Sequence, residues 1–127
     1  ASVQAHFADK PVFASWAPGV LGDYLDHGFV DTADGVRLRF DRDIETAVYN
    51  GLPHHLGEAL AKPFPVPVGF IGGTESVELR QVSAEPSRRL AGRHFKWIKG
   101  GHLYPMESPR EAAEMTRAMI AELLAAA

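Results

Sequence analysis

The residue whose type and setting best suit chemistry is His102. It stands in Gly100-Gly101-His102-Leu103-Tyr104-Pro105-Met106-Glu107-Ser108-Pro109, a glycine turn between an apolar run and a helix start. Imidazole titrates near neutrality, so a histidine in such a turn suits proton transfer. The alternative is a loop histidine satisfied by a backbone carbonyl. Glu75 follows a second glycine pair, in Gly72-Gly73-Thr74-Glu75-Ser76. A carboxylate there suits orienting a histidine at its second nitrogen. It equally suits the first turn of a helix, where the dipole favours an acid. His54-His55 invites a metal, but adjacent helical side chains point apart and nothing at a spacing of four completes a ligand set. No metal is expected. Phe7, Phe13, Trp16 and Tyr24 could line an apolar substrate pocket or simply form core.

Several chemistries find no support. No serine sits in a G-x-S-x-G elbow, and there is no P-loop or G-x-G-x-x-G. Cysteine is absent, which excludes disulfides, thiolate metal sites and cysteine nucleophiles. A reducing, cytoplasmic setting is expected on that ground. Thirteen Lys and Arg against 16 Asp and Glu give a net charge of −3, so no basic nucleic-acid surface is expected. No apolar run approaches membrane-spanning length, and no basic-then-apolar leader precedes the first elements. At 127 residues, 46% of them hydrophobic, the chain has room for one ordinary domain.

The elements that must position these residues fall into two segments, 1–62 and 63–127. The break is Pro63-Phe64-Pro65-Val66-Pro67, which no helix can cross. The first segment predicts short helices over Pro18–His27, from Asp41 to about Tyr49, and over Pro53–Leu60. Asp31–Gly35 reads as a turn and Val36–Phe40 as a short extended piece. Asp41 is the expected cap of its helix. The second segment predicts strand, helix, strand, helix. Val66–Ile71 reads as a strand buried on both faces. Ser76–Leu90 reads as a helix broken near Glu85-Pro86 and stopped by Gly92, and His94–Ile98 as a second strand. Ser108-Pro109-Arg110-Glu111 predicts a capping box for a final helix. Its apolar stripe runs Ala112, Thr116, Met119, Leu123, widened by Met115, Ile120 and Leu124. This βαβα order predicts parallel strands and a right-handed crossover. Two strands make too small a sheet, so the unit reads as the edge of a larger one. The β-carboxyl ends, carrying Glu75 and His102, are expected side by side, where α/β sheets bind ligands.

The run Pro65-Val66-Pro67-Val68-Gly69-Phe70-Ile71-Gly72-Gly73, with Gly100-Gly101-His102 and Glu107-Ser108-Pro109, resembles the C-terminal end of α/β-hydrolase-fold serine hydrolases. The front half is similar to the helical cap of an esterase-like branch. It has Phe13, Trp16-Ala17-Pro18, Leu21, Tyr24 and Gly28, then Asp34-Gly35, Leu38 and Glu45-Thr46-Ala47-Val48-Tyr49. The resemblance implies an α/β fold: a helical cap over 1–62, then the last βαβα part of the hydrolase core over 63–127. It implies His102 as general base, Glu75 or an upstream residue as its acid, and Trp16, Tyr24 and Leu103 toward a small apolar ester-like substrate. It implies no cofactor. The serine and its oxyanion donors would precede Ala1, which itself stands where an initiator methionine would. On this reading the partner is the N-terminal half of the same hydrolase or a second copy, with neither nucleic acid nor membrane involved. A non-catalytic binding or assembly module of the same descent is the alternative.

Overall fold

The computed structural model describes residues 3–126. The chain divides into two compact units, Ala1–His54 and His55–Ala127. The first unit begins with three helices, α1 (Val3–Ala8), α2 (Pro11–Ala14) and α3 (Val20–Gly28). Pro11 opens α2, where its fixed φ suits a first helical position. Strands β1 (Phe29–Thr32) and β2 (Gly35–Leu38) follow as an antiparallel hairpin, pairing Phe29 with Leu38 and Thr32 with Gly35. Thr32 Oγ1 donates to Gly35 O at 3.0 Å and closes the turn. The expected turn over Asp31–Gly35 is narrower, Ala33-Asp34 alone lying between the strands; the expected extended piece overlaps β2, and the sequence reading misses β1. The Phe29-Val30-Asp31-Thr32 run is too short for a pattern of its own, and only its partner makes it a strand. Helix α4 (Arg42–Asn50) starts as expected: the Asp41 carboxylate accepts from Asp43 N at 2.8 Å and Ile44 N at 3.3 Å.

The second unit runs α5 (Leu56–Leu60), β3 (Phe70–Gly73), α6 (Val77–Val82), α7 (Glu85–Ala91), a 3-10 turn over Gly92–His94, β4 (Phe95–Ile98), α8 (Tyr104–Glu107) and α9 (Pro109–Ala125). Strands β3 and β4 are parallel, with Phe70 beside Phe95 and Gly73 beside Ile98. The first strand is shorter and later than Val66–Ile71. Pro65 and Pro67 have no amide hydrogen to give a ladder, so pairing starts only beyond them. The glycines read as its stop are its last two paired residues. The Phe70 and Phe95 rings stack at 5.3 Å across the pair, and the Arg88 guanidinium lies 4.5 Å over Phe95. The crossover helix is broken as expected, slightly ahead of Glu85-Pro86: α6 and α7 part at Ser83, whose φ of +68° no α-helix tolerates.

The buried apolar side chains, Ala91, Ile98, Ala112 and Met119, all belong to this unit. Met119 lies against Gly69, where a Cβ would come within 2.6 Å of its Sδ. On α9 Ala112 and Met119 are buried and Met115 and Leu123 half-buried, whereas Thr116, Ile120 and Leu124 of the expected stripe are exposed. Ser108 precedes α9 but makes no side-chain cap bond, so the capping box does not form. Its φ of −139° and ψ of 66° follow from its place as the closing residue of α8. Lys96 on β4 pairs with Glu122 on α9 and ties the helix to the strand. The Lys96 hydrogen bond chiefly, and His94 less, hold the Glu122 carboxyl below its ordinary value.

Candidate functional site: a histidine on a hydroxyl and a carboxylate

Beyond their carboxyl ends, β3 and β4 continue into two loops that run together. Thr74 N donates to Ile98 O at 2.9 Å and Glu75 N to Gly100 O at 2.8 Å, so the ladder outlasts the strands. The approach is close enough to exclude a side chain. A Cβ on Gly73 would sit 2.0 Å from Gly101 O, which is why glycine ends β3. Gly100, at φ +133°, turns the second loop and presents His102.

At the mouth of the two loops the His102 Nδ1 lies 3.3 Å from Ser76 Oγ and 3.6 Å from Glu78 Oε2. Ser76 is buried, 2% exposed, and caps α6. Its hydroxyl donates to Glu78 Oε2 at 3.1 Å and accepts from Leu79 N at 3.2 Å. A serine oxygen has one proton and two lone pairs. With the proton on the carboxylate and one lone pair on Leu79 N–H, the second lone pair is placed to accept from His102 Nδ1. That arrangement suits the tautomer with the hydrogen on Nδ1, which leaves Nε2 as the acceptor. Among the described residues Nε2 has no hydrogen-bond partner, and the side chain is 56% exposed. The Glu78 carboxyl is held below the ordinary carboxylate range, first by its own backbone N–H and then by the Ser76 hydroxyl, His102 and Arg80. It is therefore anionic at neutral pH, and stabilises positive charge on the ring.

Glu75, expected to orient His102, does not meet it. Its backbone is engaged with Gly100 and Arg80, its side chain is exposed, and Ser76 and Glu78 occupy Nδ1 instead. The physical reason is register. Glu75 precedes the cap of α6, whereas Ser76 is the cap and Glu78 stands within the first turn. Sequence reasoning noted Ser76 only as a helix start. The overlooked signal is Ser-x-Glu at a helix mouth beside a post-strand histidine. Ser76 is itself no nucleophile, since it is buried and its hydroxyl is fully committed.

The other expected residues lie apart by unit. Trp16 and Tyr24 belong to the first, in a cluster with Phe7, Phe13 and Phe29. Their rings meet at 4.7 Å for Phe13–Trp16 and 5.6 Å for Trp16–Tyr24. Leu103 follows His102 and is 37% exposed. A cavity of about 300 Å³, lined in part by Thr74, Ser76, Arg80 and Trp97, opens beside Ser76. A cavity of about 800 Å³ between the proline segment and α7 shares no lining residue with the His102 cluster. Among the described residues no group of three or more His, Asp and Glu could hold a metal. Among them, no helix is long and apolar enough to cross a membrane. No protein-family model, curated protein or solved structure matches the chain.

Proposed function

We propose that this chain is the C-terminal portion of an α/β-hydrolase-fold serine hydrolase, cleaving an ester or similar acyl compound through an acyl-enzyme. The observation that carries the reading is His102 itself. It lies beyond a parallel strand pair, its Nδ1 bound to Ser76 and its Nε2 free. That is the form a general base needs. Nε2 takes the proton of a serine hydroxyl as that oxygen bonds to the acyl carbon. The imidazolium so formed faces the Glu78 carboxylate across Ser76. It then returns the proton to the departing alkoxide. In the second half Nε2 takes a proton from water as its oxygen bonds to the acyl carbon, then gives that proton to the serine oxygen as its bond to the acyl carbon breaks, and the acid leaves. The serine and the oxyanion donors come from outside residues 1–127 on this reading. Ser76 and Glu78 do the work that the resemblance gives to Glu75. On this reading residues 1–62 are the lid segment, and Trp16, Tyr24 and Leu103 keep the substrate-binding roles that the resemblance implies.

The test is hydrolysis of short p-nitrophenyl esters by the full gene product. His102→Ala should lose at least about 10³-fold in kcat/KM with unchanged circular dichroism. Full turnover in that variant ends the reading. It would pass the argument to the second one, an assembly module of the same descent. The observation favouring that alternative is a solvent-facing apolar stripe on and after α4: Ile44, Val48 and Leu52 at helical spacing are 58%, 62% and 61% exposed.

A further inference from the structure

Glu107 is a carboxylate spent on a single backbone amide. Both of its oxygens accept from Gly101 N, at 3.2 and 3.0 Å, and the bond is partly buried. Among the described residues it pairs with no cation. The residue bearing that amide directly precedes His102. The same carboxylate sets the steric limit of the turn: a Cβ on Gly100 would lie 2.7 Å from one Glu107 oxygen, and a Cβ on Gly101 2.8 Å from the other. Glu107 closes α8, whose first residue, Tyr104, donates its hydroxyl to Ile71 O on β3 at 3.4 Å. The chain from β3 through α8 to Gly101 is thus continuous. It reaches the histidine's backbone, while Ser76 and Glu78 reach its ring.

We propose that Glu107 is a positioning residue for His102: it clamps the Gly100-Gly101 turn from the far side so that the imidazole meets Ser76 in the Nδ1–H form. This rests on His102 acting as the base, but the clamp can be read without turnover. The clamp works by reach: an acceptor oxygen at this side-chain length meets Gly101 N, and the carboxylate's charge adds to the bond. Asp is too short by one methylene to reach Gly101 N from the same backbone. Gln keeps the length and one acceptor.

The experiment is NMR on the 15N-labelled chain with Glu107→Ala, Glu107→Asp and Glu107→Gln. Exchange protection of the Gly101 amide should fall at least about tenfold in Ala and Asp and stay near wild type in Gln. The His102 ring nitrogens, read at high pH, should lose their Nδ1–H signature in Ala and Asp and keep it in Gln. In the full gene product kcat should fall about 10²-fold in Ala and Asp with KM little changed, and Gln should restore most of it. Unchanged Gly101 protection or an unchanged tautomer in Ala or Asp overturns the clamp. Should Ala and Asp fail to fold, Gln decides: a lost tautomer signature with the Gly101 bond intact overturns it, and both retained supports it. If the NMR changes appear as stated but His102→Ala keeps full turnover, the clamp stands and the hydrolase reading falls.

Discussion

In the first unit, five rings hold the helices and hairpin together. Phe7 meets Phe13, Tyr24 and Phe29, and Trp16 meets Phe13 and Tyr24, with centroids 4.7–6.0 Å apart, mostly edge to face. None of the described residues there is fully buried. In the second unit, backbone sits against backbone. A Cβ on Gly73 would run into the Gly100 and Gly101 carbonyls, and Ile98 and Met119 are closed off from solvent. The first arrangement is built from large side chains with shallow, additive contacts, and each can shift. In the second, the two loops meet through backbone, and the Ser76, Glu78 and Glu107 side chains act on a turn already placed by it. The difference teaches where accuracy resides in this molecule: the histidine's turn is set by carbonyls and amides that cannot move singly, the aromatic cluster by surfaces that can.

The strongest break of that comparison is Gly73→Ala. A methyl 2.0 Å from Gly101 O must part the two loops. We expect a loss of about 3 kcal/mol in the second unit. Hydrogen exchange should read it across β3, β4 and α9, with Phe29–Leu38 keeping its protection. Equal loss in both regions would show that the two units share one stability. Next in size is Tyr24→Ala, which removes ring contacts with Phe7, Phe13, Trp16 and Phe29. About 2 kcal/mol should go from the first unit alone, because the contacts add and Tyr24 is already part-exposed. A drop in protection at Gly101 would contradict the contrast. The smallest sharpens it at two helix starts. Asp41→Ala removes two cap bonds and should cost about 1 kcal/mol. Ser108→Ala removes none and should stay within about 0.5 kcal/mol of wild type in thermal unfolding.

What was legible in the sequence was what local chemistry decides. Asp41 ahead of a helix, Pro109 at the start of another, the proline barrier at 63–67 and the strand-helix-strand order needed no partner. The parallel pairing followed from the order of elements. The rest depended on partners distant in the chain. Strand β1 exists because β2 lies beside it. The glycines at 72 and 73 pair rather than turn because the Trp97–Ile98 backbone is there to receive them. Ser108 looks like a cap but its backbone is already bent by α8. At the site, His102 was legible from its glycine turn, and the neighbourhood of Glu75 was right to within one turn. The choice of Ser76 and Glu78 was not legible, since it depends on which residue α6 begins with and on where Gly100 aims the ring.

The parallel ladder also sets an order in time. The hairpin joins Thr32 to Gly35 across Ala33-Asp34 and can close within about 1–10 μs. The β3–β4 pair joins Phe70 to Phe95 with α6 and α7 in between, so it closes late and against more chain entropy. During synthesis Phe70 and Ile71 leave the ribosome well before the strand that receives them, and wait with an unpaired edge. His102 reaches Ser76 only after that wait ends, and Glu107 emerges later still. The contact of His102 with Ser76 and Glu78 is then acquired late, and a molecule stalled before the strands pair carries the histidine without those neighbours.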